Sequence, residues 1–108
     1  ENPDPRSTTT LFSKYLPYSH VAGKRKILSE VQQRVILALG EDYTTVTRVI
    51  ELTGANPTAV LRAVRSLVEA GILEERREEA FPFRRLVRLT EKGRAIRDRL
   101  REIYDIMG

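Results

Sequence analysis

Thr58, Arg62, Arg65 and Ser66 are the side chains of this 108-residue chain whose types and spacing best suit contact with a nucleic acid. Positions 58, 62 and 66 follow one another at intervals of four, and Arg65 directly precedes the last of them. On an α-helix this spacing places all four on one face. Arginine can bond guanine bidentately, while threonine and serine hydroxyls bond base edges or phosphates. The pattern therefore predicts base contacts for Thr58, Arg62 and Ser66 and a phosphate contact for Arg65.

Residues 56–71, which carry this face, have the terminal signals of a helix. Asn56 can cap the first free N–H groups and is itself counted among the expected DNA contacts. Pro57 suits the first helical position and Gly71 suits a left-handed end. The apolar residues at helical spacing, which are predicted to face a core, are Val60, Leu61, Val64, Leu67 and Val68. Taken alone, the stretch also fits an ordinary amphipathic surface helix.

Two shorter helices are predicted before this stretch. Residues 29–40 begin with Ser29 and Gln32 at capping-box spacing, and Gly40 is expected to close the helix. A second helix is expected at about residues 45–53. A three-residue turn that contains glycine then leads into the opening stretch, which gives the outline of a helix-turn-helix.

After residue 71 the hydrophobic period changes from 3.6 to about 2, which predicts strands. Residues 72–79 and 84–90 read as the two strands of an antiparallel hairpin that turns at residues 81–83. Phe81 and Phe83 are expected to be buried as a lid over the hairpin base, with a partner surface as the alternative.

This order of elements resembles the winged-helix DNA-binding domain of MarR/PadR-like transcriptional regulators. The sequence LVEAGIL at residues 67–73 is similar to the family's passage from recognition helix to wing. The sequence VRLTEKGR at residues 87–94 is very like its passage from wing to last helix. The resemblance covers about residues 29–95. It implies a mainly α fold with a small β-hairpin, in which a three-helix core and a two-stranded wing precede a long C-terminal helix.

The resemblance also implies a dimeric transcriptional regulator that binds double-stranded DNA in a sequence-specific manner. Recognition helix 56–70 would enter the major groove and the wing, residues 72–89, would approach the minor groove. The wing residues expected to contact DNA are Arg76, Arg77, Arg84 and Arg85. Where the family has an aspartate–arginine pair, this chain has two successive arginines. Four glutamates nearly balance the wing charge, so a surface ladder of Arg–Glu pairs is the alternative reading.

The predicted last helix, residues 91–107, is expected to form the dimer. Its apolar residues recur with 4-3-4 spacing, as in the seam of a helix pair, although such a seam could also cover the domain's own core. The expected dimerisation residues are Leu11, Phe12, Tyr15, Ile96, Leu100, Ile103, Tyr104 and Met107. The chain thus divides into an extension (1–28) that docks on the dimer, the winged helix-turn-helix (29–90) and the dimerisation helix (91–108).

Charge permits nucleic-acid binding without requiring it. The net charge is +4, but residues 1–28 hold five cations against two anions, and residues 29–54 carry a net −2. A winged helix that binds other proteins in a larger assembly, without reading DNA, is therefore the competing hypothesis. The abundance of Arg and Glu beside few Asn, Gln, Met and Cys is typical of thermophile proteins.

The sequence contains little that would support catalysis, metal or cofactor binding, or membrane insertion. The sole histidine, His20, has no carboxylate nearby, the chain has no cysteine, and no glycine-rich loop or metal-ligand spacing occurs. We therefore expect no enzyme, metal or cofactor. No run approaches the roughly 20 apolar residues of a membrane span, which favours a cytoplasmic protein without a membrane partner. The family often binds small effectors, but no cluster of polar residues in this sequence identifies an effector site.

Overall fold

The computed structural model describes residues 27–108. The extension, with the expected dimer contacts Leu11, Phe12 and Tyr15 and with His20, lies outside the described residues. Within residues 27–108 the order of elements is α1 (Glu30–Ala38), β1 (Thr44–Thr45), α2 (Val46–Thr53), α3 (Pro57–Glu69), β2 (Leu73–Arg77), β3 (Arg85–Leu89) and α4 (Glu91–Met107). The mainly helical architecture with an antiparallel hairpin is confirmed.

Helix α1 begins with the predicted capping box. The Ser29 hydroxyl accepts from the Gln32 N–H at 3.1 Å, and the Gln32 carboxamide accepts from the Ser29 N–H at 2.8 Å. The prediction that Gly40 closes the helix is wrong, because the chain already becomes extended at Leu39. Leu39 is buried in the core, and the Gly40 carbonyl accepts from the Leu89 N–H at 3.0 Å, which ties the chain to the sheet.

The sheet has three strands where the sequence predicted two. Thr44 and Thr45 form β1, which pairs with Val87 and Leu86 and gives the strand order β1-β3-β2. Strand β1 was missed because two residues are too short to show an alternating pattern. The predicted hairpin of β2 and β3 is present and antiparallel, with Leu73 opposite Leu89.

Local signals fix α2 and α3 at both ends. The Thr45 hydroxyl accepts from the Arg48 N–H at 3.1 Å, and Gly54 ends α2 with a left-handed φ of 65°. Asn56 Oδ1 accepts from the N–H groups of the first turn of α3, and Gly71 follows that helix with φ 76°. A left-handed φ at these two ends is readily adopted only by glycine. The turn between the helices is therefore fixed by its own residues.

One core joins α1, α2, α3 and the inner face of the sheet. Its fully buried side chains are Val35, Ile36, Val49, Val60, Val64, Leu67, Leu73, Val87 and Leu89. Leu61 does not belong to it, contrary to the prediction, and is 42% exposed. The reason is geometric, because Leu61 follows the buried Val60 and an α-helix turns about 100° between successive residues.

Helix α4 is half inside the core and half outside it. Leu100 is only 8% exposed and Ile96 packs against the core, so both cover their own domain, which was the alternative that the sequence left open. Beyond Leu100 the apolar side chains are exposed, including Ile103, Tyr104 and Met107. Across residues 27–108, no helix combines the length and apolar character needed to cross a bilayer.

Candidate nucleic-acid interface

Helix α3 presents an exposed face opposite its buried one. Thr58, Leu61, Arg62, Arg65 and Glu69 are all exposed on it. Among the residues that the structure describes, Arg62 and Arg65 have no ion-pair or hydrogen-bond partner. These guanidinium groups keep their donors available, and arginine donors suit guanine edges and phosphate oxygens.

Ser66 lies beside this face and is already engaged. Its hydroxyl donates to the Ala63 carbonyl at 3.0 Å and accepts from Gln32 Nε2 of α1 at 2.8 Å. The sequence predicted base contacts for all three of Thr58, Arg62 and Ser66. In the structure Thr58 and Arg62 are exposed, whereas Ser66 is half-buried and its hydroxyl is hydrogen-bonded within the domain. The contact to Gln32 instead holds α3 against α1.

Asn56 acts mainly on the geometry of α3. Its Oδ1 accepts from the Thr58 N–H at 2.9 Å and from the Ala59 N–H at 3.2 Å. That oxygen is committed to the helix cap, which sets the direction in which α3 leaves the turn. Thr58, on the first turn, remains exposed at the same end.

The first turn of α4 is hydrogen-bonded to the end of α3. The Thr90 hydroxyl caps α4 by accepting from the Gly93 N–H at 3.0 Å and also contacts the Gly71 carbonyl at 2.6 Å. Lys92 Nζ donates to the Ala70 carbonyl at 2.9 Å. We call these contacts, made by residues 70–72 and 90–93, the α3–α4 joint. The joint fixes the C-terminal end of α3 relative to the rest of the domain.

Gly93 allows this joint to close. A Cβ at this position would lie 2.1 Å from the Ile72 carbonyl oxygen and 3.0 Å from Leu89 Cδ2. Backbone cannot move aside as a flexible side chain can, so the close approach of α4 to Ile72 requires glycine.

Three arginine–glutamate pairs cross the hairpin. They are Arg88 with Glu74 at 3.0 Å, Arg85 with Glu75 at 2.6 Å, and Arg84 with Glu78 at 2.8 Å. The hydrogen bonds from the Arg84 side chain, and then that from its backbone N–H, lower the pKa of Glu78. The hydrogen bonds that the Arg84 side chain donates to Glu78 correspondingly raise the pKa of Arg84. The surface ladder of Arg–Glu pairs, which was the alternative reading of the wing sequence, is thus present. Its glutamates compensate the charges of Arg84 and Arg85.

The other two hairpin arginines are also held by the protein. The Arg76 guanidinium lies over the Tyr43 ring, 4.5 Å from its centroid, and Arg88 lies at the same distance from that ring. Arg77 Nη1 donates to the Phe83 carbonyl at 2.9 Å. All four arginines that the sequence assigned to this contact surface are therefore engaged within the domain.

Solved structures of regulators share this architecture. The adhesin competence repressor AdcR from Streptococcus pyogenes matches with a TM-score of 0.67 at 17% identity, over 93% of this chain and 75% of that one. The MarR family transcriptional regulator SPO1453 from Silicibacter pomeroyi DSS-3 matches with a TM-score of 0.60 at 22% identity, over 94% and 69%. This is a MarR-like winged-helix fold. In position, α3 corresponds to the recognition helix of this fold and the hairpin β2–β3 to its wing, and we use these two names below.

Another matched structure is more similar in sequence than these two. Sso10a-2, a DNA-binding protein from Sulfolobus solfataricus, has 28% identity and a TM-score of 0.60, over 73% of this chain and 81% of that one. No protein-family model matches the chain, and no curated protein matches it significantly. The likeness to solved structures therefore establishes the winged-helix fold.

The tip of the wing differs from the prediction. Phe81 is 84% exposed and Phe83 is about half exposed, so they are not a buried lid. Their rings meet edge to face, with centroids 6.2 Å apart, beyond the last paired residues of the two strands. Residues past the end of the strands lie too far from the core to be covered by it.

Leu61 was predicted from the sequence to lie on the buried face of α3, but it lies on the exposed face. Its apolar type assigned it to the core, but its spacing from Thr58 and Arg65, three residues before and four after, places it with the exposed residues. Within residues 27–108, no group of three or more His, Cys, Asp or Glu side chains is placed to hold a metal ion.

Proposed function

We propose that the chain is a dimeric transcriptional regulator that binds double-stranded DNA in a sequence-specific manner. The observation that carries the proposal is the pair of exposed guanidinium groups, Arg62 and Arg65, without partners in residues 27–108. They stand on a helix whose opposite side is buried and whose ends are both fixed. A helix backbone that is held at both ends favours recognition, because little backbone freedom is lost on binding.

The dimensions of the recognition helix suit a major groove. The groove is about 12 Å wide and admits an α-helix. Thr58 and Arg62 lie about 6 Å apart along the helix axis, which is close to two base-pair steps. We therefore assign base contacts to Thr58 and Arg62, and a phosphate contact to Arg65 further along the helix. Ser66 leaves the base-contacting set because its hydroxyl is engaged by α1.

The descriptions of the matched structures support the proposal that this chain binds DNA. AdcR is named as a repressor, SPO1453 as a transcriptional regulator and Sso10a-2 as a DNA-binding protein. Another match, BpsR from Bordetella bronchiseptica, is described through the regulation of its DNA binding by 6-hydroxynicotinic acid.

The far half of α4 is the proposed dimer contact. Its exposed apolar side chains are Ile103, Tyr104, Ile106 and Met107. A contiguous apolar surface of this kind is stabilised when a second copy covers it. Two-fold symmetry would then present two recognition helices to successive major grooves, about 34 Å apart.

Binding to duplex DNA selected from a random pool tests the proposal. We expect Arg62→Ala to weaken binding to the selected duplex by about 1–3 kcal/mol with a relaxed sequence preference. Arg65→Ala should weaken binding to all duplexes and reduce the salt slope by about one unit. Arg101→Ala removes one exposed charge from α4 and serves as the matched control. Fluorescence anisotropy over a range of salt concentrations measures all three effects.

A protein-interaction module is the second candidate function. The contacts that the wing arginines make within the domain and the exposed Phe81 favour it. Absence of binding to any duplex at micromolar protein and low salt would remove the regulator proposal and leave this one. Equal affinity of Arg62→Ala and the unchanged protein for the selected duplex would contradict the placement of the recognition helix.

A further inference from the structure

We infer that Leu61 is a specificity-determining residue that contacts the 5-methyl group of a thymine in the major groove. This inference rests on the proposed DNA binding and adds a chemical preference to it. The observation behind it is the position of an exposed leucine within a face otherwise made of polar and charged side chains.

Exposure alone would not justify this role, because single exposed leucines are common on protein surfaces. The position of Leu61 on α3 justifies the role. It lies one turn after Thr58, next to Arg62 and one turn before Arg65, and its side chain is 42% exposed. Any duplex that meets those three side chains must also cover Leu61.

The major groove offers one apolar feature to such a side chain. Guanine, adenine and cytosine present hydrogen-bonding groups, whereas thymine also presents its C5 methyl group. A leucine pressed against the cytosine amino group or the guanine acceptors would remove water from polar groups without replacing their hydrogen bonds. Leu61 therefore favours thymine both by burying a methyl group and by penalising other bases.

Helix geometry places this thymine close to the base that Arg62 contacts. Leu61 and Arg62 differ by about 1.5 Å along the helix axis, and Leu61 and Thr58 differ by about 4.5 Å. The base-pair rise is about 3.4 Å. The thymine is thus expected within one base-pair step of the base read by Arg62, on either strand.

Replacing thymine by uracil in the selected duplex tests the inference, because it removes only the methyl group. Each thymine is replaced in turn, and affinity is measured by fluorescence anisotropy. We expect one position in each half-site to lose about fourfold in affinity, the factor associated with burial of one methyl-sized group. Leu61→Ala should bind the thymine and uracil duplexes equally at that position.

Leu52→Ala is the matched control. Leu52 is a second exposed leucine of the helix-turn-helix, 48% exposed, but it lies on α2. We expect this variant to keep the full discrimination between thymine and uracil. Because neither leucine belongs to the core, both variants should fold, and circular dichroism checks this. At the same position, 5-methylcytosine should bind more tightly than cytosine by a similar factor.

The outcomes separate this inference from the proposed function. Specific DNA binding without an effect of uracil at any position would overturn the role of Leu61 and leave the regulator proposal intact. Discrimination that persists in Leu61→Ala would also overturn it. If no duplex binds, both proposals fail. A change of sedimentation in Leu61→Ala without a uracil effect would show that Leu61 contacts protein instead.

Discussion

Arg84 donates three hydrogen bonds to the Glu78 carboxylate at the tip of the wing. Arg84 Nε and Nη2 donate to the two oxygens of the Glu78 carboxylate at 2.9 and 2.8 Å, and the Arg84 backbone N–H donates to one of them at 3.1 Å. These donors favour the ionised carboxylate, which is why the pKa of Glu78 is lowered. One of the contacts that hold the wing tip therefore depends on a titrating group.

Acid should loosen the wing tip selectively. The pKa of Glu78 is lower in the folded state, so its stabilising contribution is present above its unfolded pKa and disappears as pH falls through the folded pKa. We expect the Arg84 amide resonance to titrate with a midpoint below the ordinary glutamate value of 4.5. Glu78→Gln should abolish this titration and Glu79→Gln should retain it. A midpoint at or above the ordinary value would contradict the assignment.

The α3–α4 joint explains the two sequence motifs at the scale of elements. One motif supplies the carbonyl groups of Ala70, Gly71 and Ile72, and the other supplies Thr90 and Lys92, which contact them. The residues that carry the family resemblance therefore meet in space. Their contacts are structural, since they hold the recognition helix without lying on its exposed face.

Gly93→Ala should destabilise the domain. The added methyl group would lie 2.1 Å from the Ile72 carbonyl oxygen, and displacing that backbone should cost about 1–3 kcal/mol. Chemical denaturation followed by circular dichroism measures the change. Gly40→Ala is the matched control, because its nearest neighbour, Arg97 Nη1, would lie 3.8 Å away. Unchanged stability of Gly93→Ala would show that α4 can move away from Ile72 at little cost.

The sequence predicted those elements whose ends depend on nearby residues. The caps at Ser29, Thr45, Asn56 and Thr90 all bond within three residues, so their signals are local. Strand β1 depends instead on pairing with residues more than 40 positions away, which no local pattern records. Non-local pairing defines the third strand of the sheet.

The face of each side chain was harder to predict than the helix that carries it. From residue type and helical spacing, Leu61 was predicted to be a core residue and Ser66 a base contact. Leu61 is exposed, and the Ser66 hydroxyl bonds Gln32, which lies 34 positions earlier. Both outcomes depend on how α3 is rotated against α1, and that rotation is set by packing of the whole core.

At the scale of the whole molecule, the far half of α4 carries an apolar surface that the domain's own core does not cover. Ile106 is 85% exposed, whereas Leu100, less than two turns earlier, is buried. The Tyr104 hydroxyl bonds Gln33 Oε1, which holds this part of α4 beside α1. A test of dimerisation must therefore change residues beyond Leu100, because replacement of Leu100 would damage the core.

Ile106→Glu should convert the proposed dimer into a folded monomer. A charge within the apolar surface would have to be buried without a partner, which is strongly unfavourable. Sedimentation velocity gives the mass, and circular dichroism checks that the helices remain. Arg101→Glu changes the charge of the same helix outside the apolar surface and should stay dimeric. A dimer that persists in Ile106→Glu would place the contact elsewhere.

The α3–α4 joint has a mechanical consequence in the dimer that we propose. Because the end of α3 is bonded to the start of α4, the recognition helix and the dimerisation helix must turn together. Helix α4, about 25 Å long, then acts as a lever whose far end lies at the two-fold axis. The angle at which two such levers cross would set the distance between recognition helices, and therefore the spacing of the half-sites that the protein accepts.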